Sequence, residues 1–166
     1  HDLDKHDGRG STMLCTAAYA GHEPIVSSLI RRADPTIKDV SERSPLFWAA
    51  WAGKSDVFRL LLPYGCIEVP DTDLNTPLHA AAVNGHASVI DSFLRAELEE
   101  ATRYKVLAAR NNRTMTPLMT AAYEKRPEAL RLLLSSWTGP VAPNHASESG
   151  DTLLHLAVTV PIRWLG

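Results

Sequence analysis

A hydroxyl residue able to cap a helix recurs in this 166-residue chain at Thr12, Ser44, Thr76, Thr116 and Thr152, at intervals of 32, 32, 40 and 36 residues. Five residues after each begins a small pair: Ala17-Ala18, Ala49-Ala50, Ala81-Ala82, Ala121-Ala122 and, decayed, Ala157-Val158. The most regular copy reads Thr76-Pro77-Leu78-His79-Ala80-Ala81-Ala82-Val83-Asn84-Gly85-His86. Thr76 can accept a backbone N–H at a helix start, and Pro77 has a backbone angle suited to the first turn, where its missing donor is not needed. Ala81 and Ala82 let a neighbouring helix approach closely, and Gly85 can take the left-handed conformation that ends a helix. A short helix, a sharp stop and a second helix are therefore expected in each unit. A period of this length restricts the chain to a quasi-linear stack in which each unit buries its apolar face against its neighbours.

The Thr-Pro-Leu-His-x-Ala run at residues 76–81 resembles the signature of the ankyrin repeat. The resemblance implies an all-α solenoid of helix-turn-helix units with protruding β-turn fingers, four repeats plus a partial fifth. The expected units are residues 7–38, 39–70, 71–110, 111–146 and a partial 147–166. It also implies a module that binds another protein, or another domain of the same chain, through its concave groove and finger turns, with neither catalysis nor a cofactor. An alternative is a regulatory or spacer domain acting in cis within a larger enzyme or channel.

Taken in order, the second helices supply apolar faces with helical spacing. Ile25, Val26, Leu29 and Ile30 form the first, Val57, Phe58, Leu61 and Leu62 the second, and Val89, Ile90, Phe93 and Leu94 the third. Leu130, Leu132, Leu133 and Leu134 supply the fourth, after Lys125 stands where a helix-ending glycine is expected. Residues 95–110 add about seven residues to a standard repeat and contain neither Gly nor Pro. They are expected either to extend the second helix to about Arg103 or to break it and add a short turn near Tyr104 to Ala108. Residues 135–150, with Gly139-Pro140 and Pro143-Asn144, read as an irregular loop. The last unit has Pro161 in place of its glycine and lacks a second helix, and the chain begins in polar sequence without Met, so a piece of a longer protein is expected.

Lys plus Arg total 17 against 19 for Asp plus Glu, a balance that gives no electrostatic reason to expect nucleic acid or an acidic membrane as partner. No apolar run approaches the roughly 18 residues of a membrane span, and the first residues are unlike a secretory signal. Cys15 and Cys66 are the only cysteines, and Cys15 falls at a core position of a helix, which argues against a disulfide framework and for a reducing, intracellular setting, cytoplasmic or nuclear. Without a secretion signal the sequon Asn112-Arg113-Thr114 is taken as chance.

Candidate chemistry is sparse. His79 and His86 are separated by the helix-ending Gly85, and neither Cys-x-x-Cys nor His-x-x-x-His spacing occurs. The resemblance gives His79 and His155 a structural role instead, bonded to the capping threonine and the neighbouring turn. Ala52-Gly53-Lys54-Ser55 lacks the upstream glycine of a phosphate-binding loop, since Trp48 stands there. Glu97, Glu99 and Glu100 read as a solvated charged run. Neither cysteine nor any serine lies in an activating strand-to-helix elbow.

The aromatic residues are more informative. Seven residues after each cap stand Tyr19, Trp51, Val83, Tyr123 and Thr159, a column that the resemblance places on the first helix, facing the groove. Asn84 and Glu124 lie beside it, and Arg9, Arg43, Asp73, Asn75, Arg113 and Met115 fall on the turns. Rigid amphipathic rings near arginine match interface hot spots in composition. The competing reading is packing: an aromatic at helical spacing is usually core, and Trp48 can simply rest on Phe47 or Trp51. A third reading makes Tyr19, Trp48, Trp51 and Tyr123 the walls of a small-molecule or catalytic pocket with Glu124 as its polar group.

Overall fold

The computed structural model describes residues 2–136, and in them each expected cap is in place. Thr12, Ser44, Thr76 and Thr116 are extended and accept the N–H of the residue three positions on, at 3.1, 3.1, 3.5 and 3.3 Å. They open α1 (Met13–Ala20), α3 (Pro45–Trp51), α5 (Pro77–Asn84) and α8 (Pro117–Tyr123). Each is followed by an antiparallel partner: α2 (Glu23–Ile30), α4 (Ser55–Leu61), α6 (Ala87–Arg95) and α9 (Pro127–Ser136). Helices of seven to ten residues are too short to persist alone, so packing between units holds them. The first helices touch in the order α1, α3, α5, α8 and the second helices in the order α2, α4, α6, α9, giving two parallel rows with one continuous core between them. The alanine pairs are buried in every unit, and Phe47, Phe58 and Phe93 fill the largest spaces. The expected loop from Trp137 onward and the expected fifth unit with its start at Thr152 lie outside the described residues.

The stops between paired helices show why glycine is used there. Gly53 and Gly85 have φ of +71° and +72°. A Cβ on Gly53 would meet the His86 ring at 2.6 Å, and one on Gly85 would meet the Arg126 side chain at 2.8 Å. The residue after each stop thus lies over the stop of the preceding unit. His86 Nε2 donates to Trp51 O at 2.9 Å, and Arg126 Nε donates to Val83 O at 2.9 Å. Lys125 takes the same left-handed conformation at φ 55°. A left-handed non-glycine residue carries about 1–2 kcal/mol of strain, of which glycine's extra chain entropy would offset about half. Lys125→Gly is therefore expected to stabilise the protein by about 0.5–1 kcal/mol, read as a higher urea midpoint.

Three expectations about the apolar pattern need correction. Ile25 is 48% exposed, because α2 belongs to the first described unit and no helix pair packs on that side of it. Leu134 is 38% exposed on α9, where Ala129, Leu130 and Leu133 are the buried positions. The inserted segment is neither an extended α6 nor a single short turn. The chain turns extended at Ala96 and begins a nine-residue helix, α7 (Glu100–Ala108), so Glu97 and Glu99 lie in the break and not on a helix. Arg103 holds the break in place: its guanidinium donates to the carbonyls of Leu94 and, at 2.7 Å, Ala96, satisfying the open C-terminus of α6 with a cation. Val106 and Leu107 then bury α7 against the core.

Candidate functional site

The turns that precede the first helices share one geometry. Asp7, Asp39, Asp71 and Asn111 stand five residues before the four caps, and each Oδ1 accepts two backbone N–H groups, two and four residues on, at 2.8–3.1 Å. Short polar side chains that bond their own backbone are what close such turns. The Ser11 and Arg9 N–H groups hold the Asp7 carboxyl below its ordinary range. Successive fingers are joined by main-chain bonds, Val40 N–H to Gly10 O, Thr72 N–H to Ser41 O and Asn112 N–H to Asp73 O, at 3.1, 3.2 and 2.9 Å. These four residues carry the same period as the caps but were not among the expected site residues, because their role is visible only once the turn is closed.

The column on the first helices divides by exposure. Tyr19, Trp51 and Tyr123 are 52%, 38% and 41% exposed, while Val83 between them is half-buried. Tyr19, Trp48 and Trp51 converge where the first two units meet. Tyr19 and Trp48 rings lie 5.6 Å apart at 88°, Phe47 and Trp48 lie 6.2 Å apart at 85°, and Trp51 stacks on Phe47 at 6.3 Å. Tyr19, Trp48 and Trp51, with Asp7, Arg9, Ser11 and Thr16, line a cleft of about 400 Å³ that is open to solvent.

Trp48 combines both readings of its sequence position. It is half-buried, its indole N–H donates to Asp39 Oδ2 at 2.9 Å, and the Arg43 guanidinium covers it at 5.1 Å. It packs, and it also forms one wall of the cleft. Arg43 is further held by Asp71, Nε to Oδ2 at 3.5 Å, and lies over Phe47 at 5.6 Å. Arg9 and Asp73 are exposed on their fingers, whereas Asn75 Oδ1 accepts from Asn111 Nδ2 at 3.0 Å and so joins the third finger to the fourth. Asn84 donates to Trp51 O at 3.1 Å, which makes it a brace beneath the column. Glu124 is half-buried at the end of α8. Tyr123 and Arg113 form a second, separate pair in the fourth unit, the guanidinium 4.5 Å over the ring.

Met115 is corrected outright. Its side chain is 2% exposed within the core cluster, and its carbonyl accepts from His79 Nε2 at 2.9 Å. It cannot meet a partner from that position. Because a carbonyl only accepts, His79 carries its proton on Nε2, leaving Nδ1 to accept from Thr76 N–H at 3.2 Å and Thr76 Oγ1–H at 2.9 Å. Burial drives the His79 pKa down from 6.5 to about 4, so the ring is neutral and structural. Burial also pushes the Cys15 thiol up to about 11 and raises that of Cys66, which leaves both free thiols poor nucleophiles near neutral pH. Among the described residues no three His, Cys, Asp or Glu side chains group to hold a metal ion, and no helix is long and apolar enough to cross a membrane.

Paired short helices in two rows, joined fingers and left-handed stops define a helical-repeat solenoid. A family model of ankyrin repeats, three copies, matches residues 1–73 and 67–145, and the chain belongs to the ankyrin-repeat family. It is similar to a putative E3 ubiquitin-protein ligase, XBAT31, of Arabidopsis thaliana, 30% identical over 133 residues, 75% of this chain and 29% of that protein. It is 39% identical over 93 residues to alpha-latrocrustotoxin-Lt1a of Latrodectus tredecimguttatus, 54% of this chain and 6% of the toxin. It is 28% identical over 144 residues to the ankyrin repeat domain-containing protein SAT10 of Stachybotrys chartarum, 82% of this chain and 7% of that protein. The chain thus spans less than a third of the length of each of these relatives.

Proposed function

We propose that this chain binds a protein partner through the face made by the first helices and their fingers. Ankyrin repeats are in general protein-interaction modules, and the observation that supports this face is the exposed column of Tyr19, Trp51 and Tyr123. Each ring is seated before any partner arrives: Tyr19 on Trp48, Trp51 on Phe47 and Tyr123 under Arg113. Rings fixed in advance lose little entropy on binding, and exposed aromatic groups on a rigid surface are typical interface anchors. Arg9, Arg43, Asp73 and Arg113 add polar contacts along the same face.

The test is a pull-down with the intact chain, followed by affinity measurement on a retained protein for the intact chain and the Trp51→Ala, Tyr123→Ala double variant. The double variant is expected to keep its helical circular dichroism and to bind at least about tenfold more weakly. Undiminished affinity rejects the face. A second reading, contact in cis with other parts of a longer polypeptide, draws on the small share of each relative that the chain spans. It uses the same surface and predicts the same loss with the donor segment supplied as a peptide.

A further inference from the structure

The charges on the binding face are arranged unevenly from one end to the other. Under the first three fingers the carboxylates of Asp7, Asp39 and Asp71 accompany the cations. Arg43 pairs with Asp71 at 3.5 Å, Lys38 with Glu42 at 2.6 Å, and Arg9 stands beside Asp7. The fourth finger makes the same hydrogen bonds with a neutral residue, Asn111, and so lacks the negative charge. Arg110 and Arg113 stand on either side of it. Arg110 gives one N–H to Thr114 O at 3.1 Å, Arg113 lies over Tyr123, and neither makes an ion pair among the described residues. Lys125 and Arg126 follow at the end of α8, against Glu124 and the exposed Asp73 of the third finger. Among the described residues the face therefore has an aromatic cleft over balanced charge at its first two units and a surplus of cations at its fourth.

A guanidinium seated over a ring at 4.5 Å and without a carboxylate partner is restrained by that contact and still has N–H groups to give an arriving carboxylate. We propose that the face takes an extended protein segment with an apolar side chain in the Tyr19, Trp48 and Trp51 cleft and acidic side chains on Arg110 and Arg113; this rests on the binding reading above. Packed helices stand about 8–10 Å apart, so the cleft and the fourth finger are separated by about 20–25 Å. An extended strand rises about 3.3 Å per residue, which puts the acidic side chains about six to eight residues from the apolar anchor. A single-stranded nucleic acid also uses arginine and stacked rings. Its phosphates would run over Asp7, Asp39 and Asp71, so the observations favour the acidic protein segment.

The experiment selects binders of the intact chain from a displayed random twelve-residue peptide library and measures their affinities by fluorescence polarisation. Expected are peptides with Asp or Glu six to eight residues from an aromatic or large aliphatic residue. Arg113→Glu, with unchanged circular dichroism, should weaken them at least tenfold, and Glu→Gln in the peptide should do the same. Raising salt should weaken the original pair but not the Gln peptide. Peptides that lose affinity with Trp51→Ala yet show no acidic preference and ignore Arg113→Glu overturn this proposal while leaving the binding face standing. Peptides indifferent to Tyr19→Ala, Trp51→Ala and Arg113→Glu alike overturn both. Failure to select any peptide, or displacement of the peptides by an oligouridylate of twelve nucleotides at equal concentration, also overturns the acidic-segment assignment.

Discussion

Acidifying the protein from pH 7 to pH 4 is expected to remove about 3 kcal/mol of folding stability through one side chain, His79, whose pKa falls from 6.5 to about 4 in the fold. The unfolded chain takes up the proton first, so the contribution is complete above pH 6.5 and is lost progressively as pH falls towards 4. Below that both states are protonated and the loss stops. Burial is the leading cause, and protonation would also place a hydrogen on Nδ1, where the ring now accepts from Thr76. His79→Gln removes the titration. Urea unfolding of both proteins at pH 7 and pH 4 should show the difference between them shrinking by about 3 kcal/mol in acid. A difference that does not change with pH would show that the ring does not stay neutral in the fold.

Replacing Asp71 by alanine should be the most damaging single change to the fingers. It leaves the N–H groups of Asp73 and Asn75 without their acceptor and removes the carboxylate that lies 3.5 Å from the buried Arg43 Nε, a donor with no hydrogen-bond partner among the described residues. Two part-buried N–H groups without an acceptor and an uncompensated, partly exposed cation together imply a loss of about 3 kcal/mol. Asp71→Asn retains Oδ1, as Asn111 does in the fourth finger, and should lose only about 1 kcal/mol through the missing charge. Thermal unfolding of the two variants separates the contributions. Equal losses would mean that the charge matters and the turn bonds do not.

The core was legible in sequence wherever one helix meets the next in a regular unit. Phe58 and Phe93 could be placed because their spacing repeats, and repetition holds the environment constant. At the ends of the pattern the same reasoning failed. Ile25 has the right spacing but lies in the first described unit, where no helix pair covers it, and Leu134 stands beside the buried positions Ala129, Leu130 and Leu133 of α9, distinctions that spacing does not encode. The groove column was readable as a register, seven residues after each cap. Which of its neighbours stay accessible was not: Met115 turns inward and Trp48 divides its surface between Asp39 and the cleft.

The sequence alone determined the period, the caps, the stops and hence the stack, because these are local properties: a hydroxyl that bonds its own helix, a proline in a first turn, a glycine that tolerates positive φ. The tertiary structure decided how units are tied to one another. Asp39 binds Trp48 across nine residues, His79 binds the Met115 carbonyl across 36, and Arg103 folds the inserted helix back onto the end of α6. These bonds join groups that only the completed stack brings within reach. No local preference of Asp39, His79 or Arg103 names its partner.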